Sequence, residues 1–132
     1  MFGPATKVLI VDDMRTMRKL VQKSCKDLGM ADFKEASDGV EAWEILNDPN
    51  NKIELIISDW NMPNCSGLDL LKRVRADGRL KHLPFVLLTA ESEASQVAEA
   101  LKAGVDNYIV KPFTTANLGQ KLAQVHKKKT AA

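Results

Sequence analysis

Cysteine is nearly missing from this chain. Only Cys25 and Cys65 occur, far apart and without a Cys-x-x-Cys pair. No zinc site or thioredoxin-like motif is therefore indicated, and a reduced, cytosolic compartment fits. Histidine is equally scarce, and His82 and His126 lack metal-ligand spacing. Charge of one sign is lacking too: 19 basic and 17 acidic residues leave a net +2. That balance gives no argument for nucleic acid or a membrane surface as partner. No apolar run approaches membrane-spanning length. Met1–Thr6 shows no basic segment followed by an apolar one, so no signal peptide is read there. Repeats, linkers and low-complexity stretches are absent, and 132 residues suit one domain over 1–132 with no room for an output domain.

What is present is a globular composition, 45% hydrophobic and 27% charged. Short apolar runs alternate with helical patterns. Strands are expected at Lys7–Val11, Phe33–Ala36, Glu54–Ser58, Phe85–Leu88 and Val105–Val110. All but the second are almost continuously apolar, as strands buried on both faces of a parallel sheet are. Phe33-Lys34-Glu35-Ala36 is short and polar and reads as an edge strand. Helices are expected at about Arg15–Leu28, from Ser37-Asp38 onward, and at Leu68–Ala76, Ala94–Ala103 and Thr115–His126. Their inward faces are read as Met17, Leu20, Val21, Ser24 and Leu28; Val40, Trp43 and Leu46; Leu68, Leu71 and Val74; Val97 and Leu101; and Leu118, Leu122 and Val125. Gly29 and Gly104 stop the first and fourth helices. Cys25 belongs to an apolar helix face, and Lys127-Lys128-Lys129 reads as a solvated helix end. The alternation predicts an α/β fold, a doubly wound five-stranded parallel sheet with helices on both faces. Placing the second strand at the edge gives the order 2-1-3-4-5, which is taken over from flavodoxin-like folds.

The chemistry collects at the carboxyl ends of the strands, where open parallel sheets bind ligands. Asp12-Asp13 follow the first strand, Asp59-Trp60-Asn61-Met62-Pro63-Asn64 the third, Thr89-Ala90-Glu91 the fourth and Lys111-Pro112-Phe113 the fifth. The sheet order brings Asp12, Asp13 and Asp59 together. Two carboxylates about 4 Å apart repel by ~4 kcal/mol at an effective dielectric near 20. Lys111 offsets part of that repulsion, and a divalent ion would offset more. The donors are all oxygens, so the ion should be hard, Mg²⁺ before Mn²⁺ or Zn²⁺. A carboxylate beside Mg²⁺, a lysine and a threonine hydroxyl can form an aspartyl phosphate. Any one of these residues alone would be a cap, a turn residue or a solvated lysine. Four strand ends supplying one reaction are much less common, and they decide the reading.

These motifs resemble the response-regulator receiver family of two-component signalling, in its single-domain chemotaxis form. The resemblance covers about residues 5–127. It rests on Val11-Asp12-Asp13, Asp59 to Asn64, Thr89-Ala90-Glu91 and Tyr108-Ile109-Val110-Lys111-Pro112-Phe113-Thr114. It implies that Asp59 accepts a phosphoryl group from a histidine kinase. Asp13, Asp59 and the Asn61 carbonyl would ligate Mg²⁺ directly, and Asp12 through water. Lys111 would pair with the phosphoryl oxygens, and Thr89 would move to bond one of them. Tyr108 would pack inward behind Thr89, while Asn61 and Glu91 tune dephosphorylation. Lys111-Pro112 resembles the family's cis peptide. The implied partners are a flagellar motor switch protein and a phosphatase, for a cytoplasmic monomer. The output face would comprise the fourth helix, fifth strand and fifth helix, with Val97, Tyr108, Val110, Phe113 and Lys121. Two departures stand out: Cys65-Ser66 before Gly67, where an apolar–acidic pair is expected, and Glu93-Ala94-Ser95, where chemotaxis members carry lysines.

Other readings fit less well. A Mg²⁺ phosphatase with an Asp nucleophile would carry a second Asp where Asn61 stands. A flavin site would not place Asp12-Asp13 against a phosphate. A receiver in a phosphorelay or cell-cycle pathway is the nearer alternative.

Overall fold

The computed structural model describes residues 2–90 and 94–130. Five strands and five helices alternate. They are β1 (Lys7–Val11), α1 (Arg15–Asp27), β2 (Asp32–Ala36), α2 (Gly39–Asn47), β3 (Leu55–Asp59), α3 (Gly67–Ala76), β4 (Phe85–Thr89), α4 (Ala94–Ala103), β5 (Asn107–Val110) and α5 (Thr115–Thr130). The strands form one parallel sheet in the order β2-β1-β3-β4-β5, a flavodoxin-like arrangement. The expected sheet order and edge place of β2 are both observed.

Alternation along each strand sends side chains to opposite faces. Leu9, Val11, Ile56, Phe85 and Leu87 join a cluster with Ala42, Leu46, Leu70, Leu71, Val74 and Ala100, under α2, α3 and α4. Val8, Ile10, Leu55, Ile57, Val86 and Leu88 join Val21, Cys25, Leu118, Leu122 and Val125, under α1 and α5. Each fully buried aliphatic side chain contributes about 1.5–3 kcal/mol, so these two clusters dominate the stability. Burial pushes the Cys25 thiol up to about 12, as an inert packing residue requires.

Several inward assignments need correction. Leu20 is 47% exposed, Val40 44% and Leu101 58%. A 3.6-residue period locates a face only to within about one side chain's rotation. The small residues Cys25, Ala42 and Ala100 take the inward places instead. Trp43 is half-buried, with the Arg73 guanidinium 5.6 Å from its ring centroid. Gly29 and Gly104 do end α1 and α4, with φ of 101° and 94° that disfavour any side chain.

β5 begins at Asn107 rather than Val105, directly after Asp106. Its backbone N–H donates to the Phe85 carbonyl at 3.0 Å, and its carboxylate accepts the Phe85 N–H at 2.9 Å. The same carboxylate pairs with Arg75 Nη2 at 2.9 Å and Lys129 Nζ at 3.2 Å. Lys129 is thus an ion-pair partner rather than only a solvated helix end. Arg75 also donates to the carbonyls of Gly104, Lys81 and Leu83 at 2.9, 3.0 and 2.7 Å. This anchor ties α3, β4, β5 and α5 together at the amino-terminal rim of the sheet, opposite the strand ends that carry the acidic residues.

Candidate functional site

At the carboxyl-terminal rim, β1 and β3 are neighbours, so Asp12, Asp13 and Asp59 converge. Their carboxylate oxygens lie within 4.8 Å of one another. Asp12 and Asp59 are buried and Asp13 is exposed. Lys111, delivered by β5, reaches across β4. Its ammonium lies 2.9 Å from Asp59 Oδ1 and 3.4 Å from Asp12 Oδ2. The Lys111 N–H also donates to the Thr89 carbonyl at 2.7 Å, which fixes the two strand ends side by side. The Lys111-Pro112 peptide is cis, as expected.

Backbone donors complete the carboxylates' surroundings. Met14 N–H donates to Asp12 Oδ1 at 2.9 Å, and Trp60 N–H donates to Asp59 Oδ1 at 2.8 Å. Arg18 Nη1 donates to the Asp12 carbonyl at 2.7 Å and its Nε pairs with Glu35 at 3.1 Å. No motif marks Arg18 as part of the site. Burial holds the Asp12 carboxyl above its ordinary value, and Asp59 pushes the same way. The Met14 N–H and Lys111 oppose them. Carboxylates clustered this closely favour a cation beside them.

Gly67 sets the position of Asp59 from below. A Cβ there would collide with the Asp59 carbonyl oxygen and come within 2.9 Å of Leu87 Cδ2. Ser66 caps α3 by accepting the Asp69 N–H at 3.1 Å, so the helix starts directly under the strand end. Cys65 is buried rather than open to solvent, wedged against Gly39. Burial pushes its thiol up, as for a packing residue rather than a reactive one. Asn64, with φ 68°, bonds the Asp38 carboxylate at 2.9 Å and ties this loop to α2.

Thr89 is buried at the end of β4. Beside it, Asn61, Ala90 and Gln96 line a cavity of about 140 Å³. Gln96 was not expected at the site; one turn into α4, it carries no motif signal. Glu91, expected to tune dephosphorylation, lies outside the described residues, as does Glu93. Tyr108 is half-buried against the α2–α4 cluster, with Lys121 Nζ 5.2 Å from its ring centroid. Val97 and Val110 are half-buried. Phe113 packs on the other cluster, under α1 and α5, apart from Tyr108.

Comparison with known proteins decides the family. The profile of the response regulator receiver domain matches residues 8–123. The chain belongs to the response regulator receiver family. The receiver is 51% identical over 119 residues to chemotaxis protein CheY1 of Helicobacter pylori, a match covering 90% of this chain and 95% of that protein. It is 48% identical to CheY-3 of Vibrio cholerae, covering 90% of each. The solved structure of the chemotaxis response regulator CheY4 of Vibrio cholerae matches with a TM-score of 0.82 at 33% identity, covering 91% of this chain and 98% of that one. The receiver is accordingly a phosphorylation-activated signalling switch homologous to CheY chemotaxis regulators. Its acidic cluster is compatible with Mg²⁺. No helix among the described residues is long and apolar enough to cross a membrane.

Proposed function

We propose that this receiver acts in chemotaxis, taking a phosphoryl group on Asp59 from a histidine kinase and passing the signal to a flagellar motor switch protein. Residues 1–132 would work as one unit, a cytoplasmic monomer whose phosphate lifetime a phosphatase also limits. The observation that carries the reading is the Lys111 ammonium 2.9 Å from an Asp59 carboxylate that Asp12 and Asp13 flank. The donor set suits a hard dication: the clustered groups are carboxylates, with no imidazole or thiolate among the described residues. Asp13, Asp59 and the Asn61 carbonyl would hold Mg²⁺ directly, and Asp12 through water. Bound there, the ion supplies positive charge beside the transferring oxygens.

The chain's own residues account for the transfer. An Asp59 carboxylate oxygen attacks phosphorus, forming a P–O bond as the P–N bond of the phosphohistidine breaks. The electron pair returns to the imidazole, which takes up a proton. Lys111 stabilises charge on the transferring oxygens. The phosphoryl group carries about −1.5 to −2 charge in place of the carboxylate's single charge, beside Thr89, whose hydroxyl then turns to bond it. Tyr108 follows inward, and the face bearing Val97, Tyr108, Val110, Phe113 and Lys121 changes shape for its target. The receiver is a switch rather than an enzyme with a separate substrate, and its own autophosphorylation and autodephosphorylation belong to this site.

Acetyl phosphate and Mg²⁺, with borohydride trapping and mass spectrometry, test the acceptor. The adduct should map to Asp59; label persisting at wild-type level in Asp59→Asn would sink the assignment. Mg²⁺ should quench Trp60 fluorescence, and Asp13→Ala should lose that response while staying folded. An unchanged titration removes Asp13 from the site. Affinity for a motor switch peptide, with and without beryllofluoride, tests the pathway. Equal affinities defeat chemotaxis and favour a phosphorelay.

A further inference from the structure

Loss of the phosphoryl group needs a water, and a cavity beside Thr89 has room for one. β3 and β4 are adjacent, with Asp59 level with Leu88. Thr89, the next residue, therefore stands beside the acceptor. Lys111, arriving from β5, bonds the acceptor and also reaches Asp12. Next to Thr89 lies the cavity of about 140 Å³ lined by Asn61, Thr89, Ala90 and Gln96. That is room for a few waters. No charged side chain lines it among the described residues. Among the described residues neither the Asn61 nor the Gln96 carboxamide has a hydrogen-bond partner. Each offers two donors and an acceptor.

We propose that Gln96 is a positioning residue for hydrolysis of the aspartyl phosphate, its carboxamide orienting the attacking water. This rests on Asp59 being the acceptor. In the reaction the water oxygen bonds to phosphorus as the bond from phosphorus to the Asp59 oxygen breaks. The carboxylate leaves with the electron pair, and both water protons depart on the inorganic phosphate. Phosphoryl transfer passes through a loose transition state that asks little of a base. A neutral amide that holds the water in line is therefore enough. Gln96 stands in the first turn of α4 and lines the cavity together with Thr89. Losing one orienting hydrogen bond should slow decay about three- to tenfold.

The test follows labelled phosphate on the full chain after acetyl phosphate is removed, in wild type, Gln96→Ala and Gln96→Leu. Both variants should lengthen the half-life three- to tenfold, while beryllofluoride affinity stays within twofold of wild type. The alanine opens space and the leucine fills it, so equal slowing assigns the effect to the amide. An unchanged or shortened half-life in either variant overturns the proposal. So does a parallel fall in beryllofluoride affinity, which would mean a misshapen site. If wild type takes up no label, it is the Asp59 reading that has failed.

Discussion

Gly67→Ala is the sharpest probe of how closely the fold controls Asp59. The added methyl would meet the Asp59 carbonyl oxygen, the Asp59 carbonyl carbon at 3.0 Å and Leu87 Cδ2 at 2.9 Å. Ordinary carbon contacts begin near 3.4 Å. Leu87 is fully buried, so it has nowhere to turn. The backbone of Asp59 must therefore move, by something on the order of 1 Å. Overpacking of this kind costs about 1–3 kcal/mol, which a domain with a reserve of roughly 5–15 kcal/mol survives. Reactivity is far more sensitive, since a misplacement of about 1 Å can cost 10²-fold. The expected result is a folded protein whose Trp60 fluorescence responds to acetyl phosphate about a hundredfold more slowly. Gly78→Ala is the control, because nothing lies within 4 Å of a Cβ there. A Gly67→Ala protein that phosphorylates within threefold of Gly78→Ala would refute the argument that this close approach sets the acceptor's position.

Two further perturbations separate charge from packing. Asp106→Ala removes the partner of the largely buried Arg75 and leaves the Phe85 N–H without its acceptor. A loss of about 3–5 kcal/mol is expected in urea unfolding. Asp106→Asn keeps an acceptor and should lose less; equal losses would show that hydrogen bonding contributes nothing beyond charge. Asp12→Asn tests burial. Because the folded Asp12 carboxyl titrates above its ordinary 3.8, its favourable contribution is present at acidic pH and is lost as pH rises through the folded value. Without divalent ions, the asparagine variant should therefore gain stability relative to wild type between about pH 4 and neutrality. Saturating Mg²⁺ should narrow the gap. A constant difference across that range would contradict the burial argument.

Much of this was legible in the sequence because the relevant signals are local. Apolar runs marked the strands, glycines with positive φ marked helix ends, and acidic, hydroxyl and basic residues at strand ends marked the site. What stayed hidden depends on partners distant along the chain. Arg75 and Asp106 read as ordinary charges until the fold sets them 2.9 Å apart. Arg18 reads as a surface residue until it reaches the Asp12 carbonyl. Leu20 and Leu101 have apolar spacing, yet their helices are rotated so that smaller neighbours face the sheet. Gln96 has no signal at all, since only the turn of α4 onto β4 brings it to the cavity.

The Arg75–Asp106 anchor gives β4 and β5 the mechanics of paired levers. At one end Asp106 is clamped to Phe85, Arg75 and Lys129. At the other, a single backbone bond joins Lys111 to Thr89. The clamped end is a fulcrum about 13 Å below the reacting end, the span from Phe85 to Thr89. Displacement imposed at Thr89 is largest there and dies away toward Phe85. On the proposed transfer to Asp59, the work done by the phosphoryl group would go to the start of α4 and the Tyr108 ring rather than to the opposite rim. A partner seated on that rim would bind both signalling states alike, so it could hold the receiver in place without reading its message.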